Sequence, residues 1–382
     1  MQTVKLYYEN AYTTDFSAAV LACEQDKKGW QIVLDRTAFF PEGGGQTADT
    51  GTLGSVHVLD AHEKQGVVYH LTDGPLPVGC EVQGHIDWPE RFRKMQNHSG
   101  EHVLSGLVNA RYGYDNVGFR LDESGCIVDF SGELTRQQLD ELEDAANAVI
   151  WDNRPITARF PSEEELRTME YRSKLDLTEN VRIVTVEGVD VCACCAPHVA
   201  HTGEIGQLKI LDSMRHRGGV RIWIKSGGNA LADYRARYTA DAEISALLNK
   251  PQDAIAAGVK ALLEQRDSLR QQLSAAQRQM CELRAASLQP TDGSILLFED
   301  LDNDGMRALV NIGMEKCGGV CAVFSGTDGA WQFVMGSAHT DMRPWLKELS
   351  GRLPIRGGGQ ERMVSGRCTA SRQELEAAFA AE

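Results

Sequence analysis

Two short motifs carry side chains that could together bind a metal ion. In H-S-G-E-H, at residues 98–102, His98 and His102 stand four positions apart. On a helix these positions share one face, so both imidazoles can reach the same ion. In C-C-A-P-H, at residues 194–198, Pro197 favours a turn that can bring a thiolate and an imidazole together. Three nitrogens and one sulfur form a ligand set that suits Zn²⁺.

Neither motif specifies a metal site alone, because a lone histidine pair often lies on a solvated helix face and a reduced cysteine is often a small buried hydrophobe. Their presence in one chain favours a shared site. The predicted ligands are His98, His102, Cys194 and His198. Cys192, Cys195 and His201 are competing ligands, and spacing does not decide between Cys194 and Cys195.

The first motif also matches the inverted zinc-protease signature H-x-x-E-H, in which Glu101 would be the general base. That interpretation needs an acidic third ligand, which the three glutamates at residues 163–165 could supply. It leaves the second motif unexplained. A zinc metallopeptidase is therefore the alternative to a site that uses both motifs.

A glycine-rich loop is a second candidate for chemistry. It runs T-A-F-F-P-E-G-G-G-Q-T-A-D-T-G over residues 37–51. Gly43, Gly44 and Gly45 lack Cβ atoms, so their backbone N–H groups can approach a ligand and could stabilise an oxyanion. Gln46 offers both a donor and an acceptor. An ordinary hairpin loop is the alternative, and the absence of G-K-[ST] excludes a P-loop.

Two N-terminal segments must position these groups. Residues 1–88 are β-rich, with runs such as K-L-Y-Y-E at 5–9 and W-Q-I-V-L-D at 30–35, and predict a small barrel or sandwich, of which we favour the barrel. Residues 89–236 predict an α+β segment, in which a helix from Pro89 to Gly113 carries the histidine pair. Two further helices are predicted from capping boxes, Thr135 with Gln138 and Ser162 with Glu165.

Two C-terminal segments complete an α+β multidomain chain. Residues 237–288 are predicted to form a helical arm. Apolar residues recur every seven positions from Ile255 to Leu283, which predicts a coiled coil or a long helical hairpin. Arg266 in that seam favours the alternative, an amphipathic helix packed on its own chain. Residues 289–382 predict a small α/β domain, with strands and helices in alternation and a Gly357–Gly359 loop.

Composition limits the class of protein. The chain has 382 residues, 42% of them hydrophobic and 24% charged, which excludes a wholly disordered protein. It lacks the roughly 18 consecutive apolar residues of a membrane helix and a secretory signal, so we expect a cytoplasmic protein with its ten cysteines reduced or metal-bound. The net charge of −15 argues against indiscriminate nucleic-acid binding, but Arg215 and Arg217 could form part of a local RNA-binding surface.

The glycine loop, H-S-G-E-H and then C-C-A-P-H-V-A-H-T-G-E-I-G, in this order, resemble the editing domain of alanyl-tRNA synthetase and the freestanding alanyl-tRNA editing proteins of the AlaX type. The resemblance covers residues 1–236. It implies a zinc-binding editing domain that acts in trans and removes mischarged serine or glycine from alanine tRNA. It also implies zinc at the four predicted ligands, with Gly43, Gly44, Gly45 and Gln46 near the substrate.

This chain departs from the family pattern at two places, and a second, weaker resemblance covers the C-terminal residues. The family's cysteine motif usually runs C-G-G-T-H, and the synthetase version carries no charged residue at the position of Glu101, here a candidate general base. Residues 238–382 resemble the helical arm and glycine-rich C-terminal domain of alanyl-tRNA synthetases and DHH-type phosphoesterases, through R-G-G-G-Q at 356–360. That implies tRNA contact or a homodimer. A non-catalytic tRNA-binding protein with a structural zinc is a further alternative.

Overall fold

Several separate sheets and a set of helices make up the chain, and the predicted α+β multidomain class is confirmed. The computed structural model describes residues 2–122, 125–173 and 181–380. The chain divides into two units after residue 240. The finer boundaries at residues 88, 236 and 288 stay predictions. Across the described ranges, no helix combines the length and the apolar character that crossing a bilayer requires.

Six N-terminal strands close into a barrel whose inward side chains, among them Phe16, Ile32 and Leu34, form one apolar core. The elements of this region are β1 (Val4–Lys5), α1 (Leu6–Glu9), β2 (Asp15–Asp26), β3 (Gly29–Leu34), β4 (Arg36–Thr37), β5 (Gly51–Leu53), β6 (Val56–Lys64), β7 (Val67–Thr72) and β8 (Glu81–Ile86). The ring runs β2-β3-β7-β6-β5-β8, so these strands leave no open sheet edge. The glycine-rich loop joins β4 to β5.

The predicted strand over residues 5–9 is wrong for most of its length. Only Lys5 belongs to a strand, and Leu6–Glu9 form a single helical turn. Tyr7 is buried in this turn and packs edge-to-face on Phe40, with ring centroids 5.4 Å apart. Tertiary packing of the tyrosine therefore overrides the strand preference of aromatic residues.

The helix that carries the histidine pair is α2 (Trp88–Tyr112), and its predicted ends are confirmed. Pro89 lies in its first turn, and Gly113 ends it with a φ of 68°, a left-handed conformation that glycine adopts without strain. The helix packs against elements of both neighbouring sheets, so residues 94–106 are all buried. Burial on every side fixes the direction of each side chain along this stretch.

The region around α2 contains a four-stranded sheet, β14-β15-β10-β9, and a three-stranded sheet, β11-β12-β13. Its elements are β9 (Asn116–Asp122), β10 (Gly125–Phe130), α3 (Arg136–Trp151), β11 (Ile156–Arg159), α4 (Glu163–Thr168), β12 (Ile183–Val186), β13 (Asp190–Ala193), β14 (Leu208–His216), β15 (Gly219–Ser226) and α5 (Gly227–Leu248). Both predicted capping boxes are confirmed, at the starts of α3 and α4.

A buried ion pair ties α2 to the glycine-rich loop. Arg91 donates to the Asp49 carboxylate from Nε at 2.9 Å, and both side chains are almost completely buried. Asp49 also accepts the backbone N–H of Phe40 at 2.6 Å, and Lys94 donates to the carbonyl of Ala48 at 2.5 Å. Because breaking a buried pair leaves an unpaired charge, these contacts fix the loop beside the histidine helix.

The second unit contains a five-stranded sheet in the order β16-β17-β18-β20-β19. Its elements are α6 (Ile255–Ser287), β16 (Ile295–Phe298), α7 (Asn303–Gly313), β17 (Cys321–Thr327), β18 (Ala330–Gly336), α8 (Met342–Arg352), β19 (Ile355–Gly359), β20 (Met363–Cys368) and α9 (Arg372–Ala380). The predicted Gly357–Gly359 loop is wrong, because these residues belong to the edge strand β19. A Cβ on Gly357 would lie 2.4 Å from the carbonyl oxygen of Ser365, so glycine permits this close pairing.

Most of the apolar residues that recur every seven positions along α6 are exposed. Leu262, Leu269, Leu273 and Leu283 each keep more than half of their surface accessible. Two short parts of the helix are buried against its own chain. Gly258, near the start, lies beside Leu248, and Cys281 and Ala285, near the end, are buried with residues of α7. A coiled coil with a second copy, and hence a homodimer, stays a prediction.

Candidate metal centre

The structure brings the four predicted ligands together between α2 and the segment that follows β13. The Sγ of Cys194 lies 3.5 Å from the Nε2 of His98 and 3.3 Å from the Nε2 of His198. Including His102, one ligand atom from each of the four residues lies within 4.8 Å of the others. The three histidines are buried. Two distant segments of the chain thus place four potential metal-binding side chains next to one another.

The distances and the chemistry of this cluster fit zinc. A tetrahedral zinc, with Zn–N at roughly 2.0–2.1 Å and Zn–S at roughly 2.3 Å, places its ligand atoms about 3.3–3.6 Å apart. The two sulfur–nitrogen distances, 3.5 and 3.3 Å, agree with that spacing. A thiolate with three imidazoles is also a set that zinc prefers over harder cations.

Each histidine is oriented through its other ring nitrogen. The Nδ1 of His98 donates to Gln46 Oε1 at 2.8 Å, and the Nδ1 of His102 donates to Asp190 Oδ2 at 2.9 Å. The third contact joins His198 Nδ1 to the Ser99 hydroxyl at 3.0 Å. These partners leave all three Nε2 atoms directed at the cluster, an arrangement typical of metal-binding histidines.

The protonation states also suit a metal site. Burial by itself raises the pKa of the Cys194 thiol, but the neighbouring imidazoles of His98 and His198 outweigh it and hold that pKa well below its ordinary value. Burial lowers the pKa of His198 to about 3, which keeps its ring neutral. A thiolate and a neutral imidazole are the forms that coordinate metal ions.

The geometry separates Cys194 from Cys195, whereas Cys192 lies in a second group of potential ligands with His102 and Asp190. The Sγ of Cys195 lies near the glycine-rich loop, 3.3 Å from where a Cβ on Gly44 would stand, and its side chain packs with Tyr7 and Phe40. Burial, followed by the negative charge of Cys194, raises the pKa of Cys195 to about 11. Cys195 is therefore a neutral thiol outside the four-residue cluster.

The three glutamates that could supply the acidic ligand of a peptidase lie away from the histidine pair. Glu163, Glu164 and Glu165 lie on α4 with exposed side chains, and Glu165 pairs with Arg159 at 2.8 Å. None of them belongs to the clusters of potential ligands found among the described residues. The structure thus associates the histidine pair with the C-x-x-x-H motif instead.

A cavity of about 500 Å³ opens beside the cluster, within the usual size range of ligand sites. His98, His102 and Cys194 form part of its wall. The glycine-rich loop contributes Gly44 and Gly45. The centre is therefore accessible to a small substrate even though its histidines are buried.

Glu101 lies in the same wall, with its two oxygens in different environments. Its Oε1 accepts hydrogen bonds from the Ser105 hydroxyl and, at 2.5 Å, from Asn116 Nδ2. Its Oε2 lies 4.0 Å from the Nε2 of His102. The first oxygen fixes the side chain, and the second lies beside the cluster, where it could accept a proton.

Within the glycine-rich loop, the position of Gly45 accepts only glycine. Gly45 has a φ of 84°, and a Cβ there would lie 2.5 Å from the carbonyl oxygen of Phe119. The amide of Gly43 donates to the carbonyl of Gln46 at 3.1 Å, so it is engaged in the turn itself. The amides of Gly44 and Gly45 remain candidates for contact with a substrate.

Three predicted residues occupy places that the sequence did not indicate. Gln46 is buried behind His98, with which it forms a hydrogen bond, and it is not part of the cavity wall. Arg215 and Arg217 lie at the β14–β15 turn and are not part of the cavity wall; Arg215 pairs with Glu133 at 3.1 Å. An RNA-contacting role for the two arginines stays a prediction.

Sequence reasoning missed the residues that support His102. Asp190 accepts from His102 and also from Arg172, through Nε at 2.7 Å and a second guanidinium nitrogen at 2.8 Å. Asp190 precedes the cysteine motif by four positions, but an isolated aspartate at that distance carries no signal of its role. Ser99 and Gln46, which contact His198 and His98, do lie within recognised motifs, H-S-G-E-H and the glycine-rich loop.

Replacing Gln46 with Met, which has a similar volume, is expected to weaken zinc binding about 10- to 100-fold, the usual effect of losing a partner of a metal ligand. The reason is that His98 loses the acceptor that orients its ring. Competition with a chromogenic chelator measures the affinity, and Gln83→Met on the barrel surface is the matched control. Equal affinities of Gln46→Met and the unchanged protein would refute this role.

Comparison with known proteins gives two family matches within the first unit. Residues 181–222 match a model described as the threonyl and alanyl tRNA synthetase second additional domain. Residues 5–90 match a model described as tRNA synthetases class II (A). The first match contains two of the four clustered residues, and the second contains the glycine-rich loop.

Individual relatives extend the comparison over the whole chain. A protein named alanyl-tRNA editing protein AlaX-L, from Pyrococcus horikoshii, is 25% identical over 97% of this chain and 96% of its own length. Alanyl-tRNA editing protein Aarsd1 of Rattus norvegicus is 29% identical over 61% of this chain and 60% of its own length. Alanine–tRNA ligase of Natronomonas pharaonis is 31% identical over 94% of this chain. The chain spans only 32–41% of the length of three alanine–tRNA ligases that it matches. The resemblance predicted from the motifs is confirmed.

Proposed function

From this similarity to alanyl-tRNA editing proteins, we propose that the chain is a zinc-dependent aminoacyl-tRNA deacylase that acts in trans. Its substrate is alanine tRNA mischarged with serine or glycine, and its reaction is hydrolysis of the ester at the 3′ end. The observation that carries the proposal is the buried cluster of three histidines and Cys194 beside a cavity that also contains Glu101.

The chemistry needs a water molecule that attacks and an oxyanion that is stabilised. A zinc ion held by His98, His102, Cys194 and His198 would supply positive charge to polarise the ester or to hold the amino acid. Glu101 Oε2 takes a proton from the attacking water, whose oxygen then adds to the ester carbonyl. When the intermediate collapses, the proton passes from Glu101 to the departing ribose oxygen, which balances the reaction.

The glycine-rich loop supplies the second element. The amides of Gly44 and Gly45 lie in the cavity wall and are candidate donors to the oxyanion. The hydrogen bonds from Ser105 and Asn116 keep Glu101 in place while its proton moves. In this scheme the amides of Gly44 and Gly45 stabilise the oxyanion, and Glu101 transfers the proton.

A deacylation assay separates this proposal from its alternatives. We expect serine-charged alanine tRNA to be hydrolysed much faster than alanine-charged tRNA, because the serine hydroxyl can form hydrogen bonds in the site that the alanine methyl group cannot. Chelator-sensitive peptide cleavage without tRNA hydrolysis would favour the peptidase. Binding of tRNA without turnover would favour a structural zinc, which four protein ligands also suit.

Charge reversal at Arg215 and Arg217 tests where the tRNA lies. The double replacement with glutamate is expected to raise KM for full-length tRNA at least several-fold, because phosphate contacts dominate nucleic-acid affinity. The effect should shrink as salt increases, while zinc content stays constant. Arg36, exposed on β4 in the barrel region, provides the control for a charge reversal elsewhere. An unchanged KM at low salt would exclude this surface.

A further inference from the structure

Two large apolar side chains in the cavity wall keep an unusual share of their surface exposed. Phe160 is 50% exposed and Val117 is 64% exposed, and both line the cavity that contains the cluster. They come from different sheets, because Val117 is in β9 and Phe160 follows β11. An apolar surface next to a polar centre points to a ligand with an apolar part of its own.

Phe160 is held rigidly in this position. Pro161 follows it and restricts its backbone. Its ring meets Tyr8 edge-to-face, with centroids 5.3 Å apart and planes at 72°. Tyr8 in turn lies under the guanidinium of Arg182, which is 5.3 Å from the ring centroid. The aromatic surface therefore exists before any substrate arrives, and little conformational freedom is lost on binding.

Arg182 completes this support from within the protein. It is buried, and one guanidinium nitrogen donates to the carbonyls of Cys194 at 3.0 Å and Ala196 at 2.8 Å. The same side chain thus contacts both the segment that carries the metal ligand and Tyr8, on which Phe160 rests. The aromatic surface and the candidate metal centre are connected through a single residue.

We propose that Phe160 is a stacking platform for the terminal nucleobase of the substrate, with Val117 as a second apolar contact. This inference rests on the proposed function. Serine and glycine side chains offer almost no apolar surface, so they cannot be the group that covers Phe160. The base is the flat, largely apolar group attached to the same ribose whose oxygen carries the ester, so it must enter the cavity region with the ester.

A pair of substrates that differ only in this base tests the proposal. Both are short RNAs esterified with serine at the 3′ end, one terminating in adenosine and the other in a ribose without a base. Stacking of one base on an aromatic side chain corresponds to roughly 10- to 100-fold in kcat/KM. We expect the unchanged protein to prefer the adenosine substrate by about that factor.

Phe160→Ala should lose about the same factor on the adenosine substrate and almost nothing on the substrate without a base. Phe160→Trp should restore the preference, because a larger aromatic ring can also stack. Trp151→Ala, at an exposed aromatic residue outside this cavity, is the matched control. Zinc content and thermal unfolding of each variant show that the fold is intact.

Equal losses on both substrates, or no loss on either, would overturn the platform. If the protein without substitutions hydrolyses both substrates equally fast, the stacking platform is refuted, but the proposed deacylase function is not. An unchanged protein that hydrolyses neither of these RNAs nor full-length charged tRNA would refute the proposed function, and the platform with it.

Discussion

Replacing Cys194 with serine is expected to abolish zinc binding and to lower the deacylation rate by more than about 100-fold. Loss of a residue that only supports a metal ligand usually costs no more than about 100-fold. A hydroxyl ionises far less readily than a thiol, and it binds zinc poorly. The cluster would keep three imidazoles without the negative charge that the Cys194 thiolate supplies. This substitution is therefore expected to remove both the metal and the activity.

Two other cysteines provide the controls for this substitution. Cys195→Ser should retain one zinc per chain, because the Cys195 thiol lies outside the cluster. Cys80→Ser, in the barrel region, should retain both zinc and activity. Elemental analysis of purified proteins together with initial rates gives the result. Loss of zinc in Cys195→Ser with retention in Cys194→Ser would show that the ligand assignment is reversed.

Glu101→Gln is expected to lower kcat about 10²- to 10⁴-fold, the usual contribution of a general base. Glutamine can still accept hydrogen bonds from Ser105 and Asn116, but it cannot take a proton from water. Zinc affinity and KM should change little, since Glu101 is not among the four clustered ligands. The loss should therefore appear in kcat.

Single-turnover rates with serine-charged tRNA isolate the chemical step in this variant. Glu141→Gln, on α3, removes a carboxylate of the same type far from the cavity and is the matched control. A Glu101→Gln protein with an unchanged single-turnover rate would mean that Glu101 only supports its neighbours. The proton acceptor would then have to be sought elsewhere in the cavity.

The parts of the structure that the sequence predicts well depend on short-range rules. Pro89 and Gly113 mark the ends of α2 because each acts on the backbone within one turn. The two capping boxes join residues three positions apart. The two predicted ligands within each motif are likewise only four positions apart. Each pair could therefore be recognised from the sequence, whereas the contact between the two pairs could not.

The remaining features depend on contacts between distant segments. Asp190 supports His102 across 88 positions, and Gln46 reaches His98 across 52. Tyr7 adopts a helical turn because of packing on Phe40, against the preference of its own residue type. The exposure of Phe160 also depends on where two sheets place their ends. Such relations have no signature in local spacing or composition.

The most direct test of the account is the rate at which the zinc-loaded chain hydrolyses serine-charged alanine tRNA, measured before and after removal of the metal. We predict one zinc per chain, rapid release of serine, loss of the rate when a chelator removes the zinc, and recovery when zinc is restored. A metal-free chain that hydrolyses the ester as fast as the loaded one would contradict the account. So would a zinc-loaded chain that releases serine no faster than buffer alone.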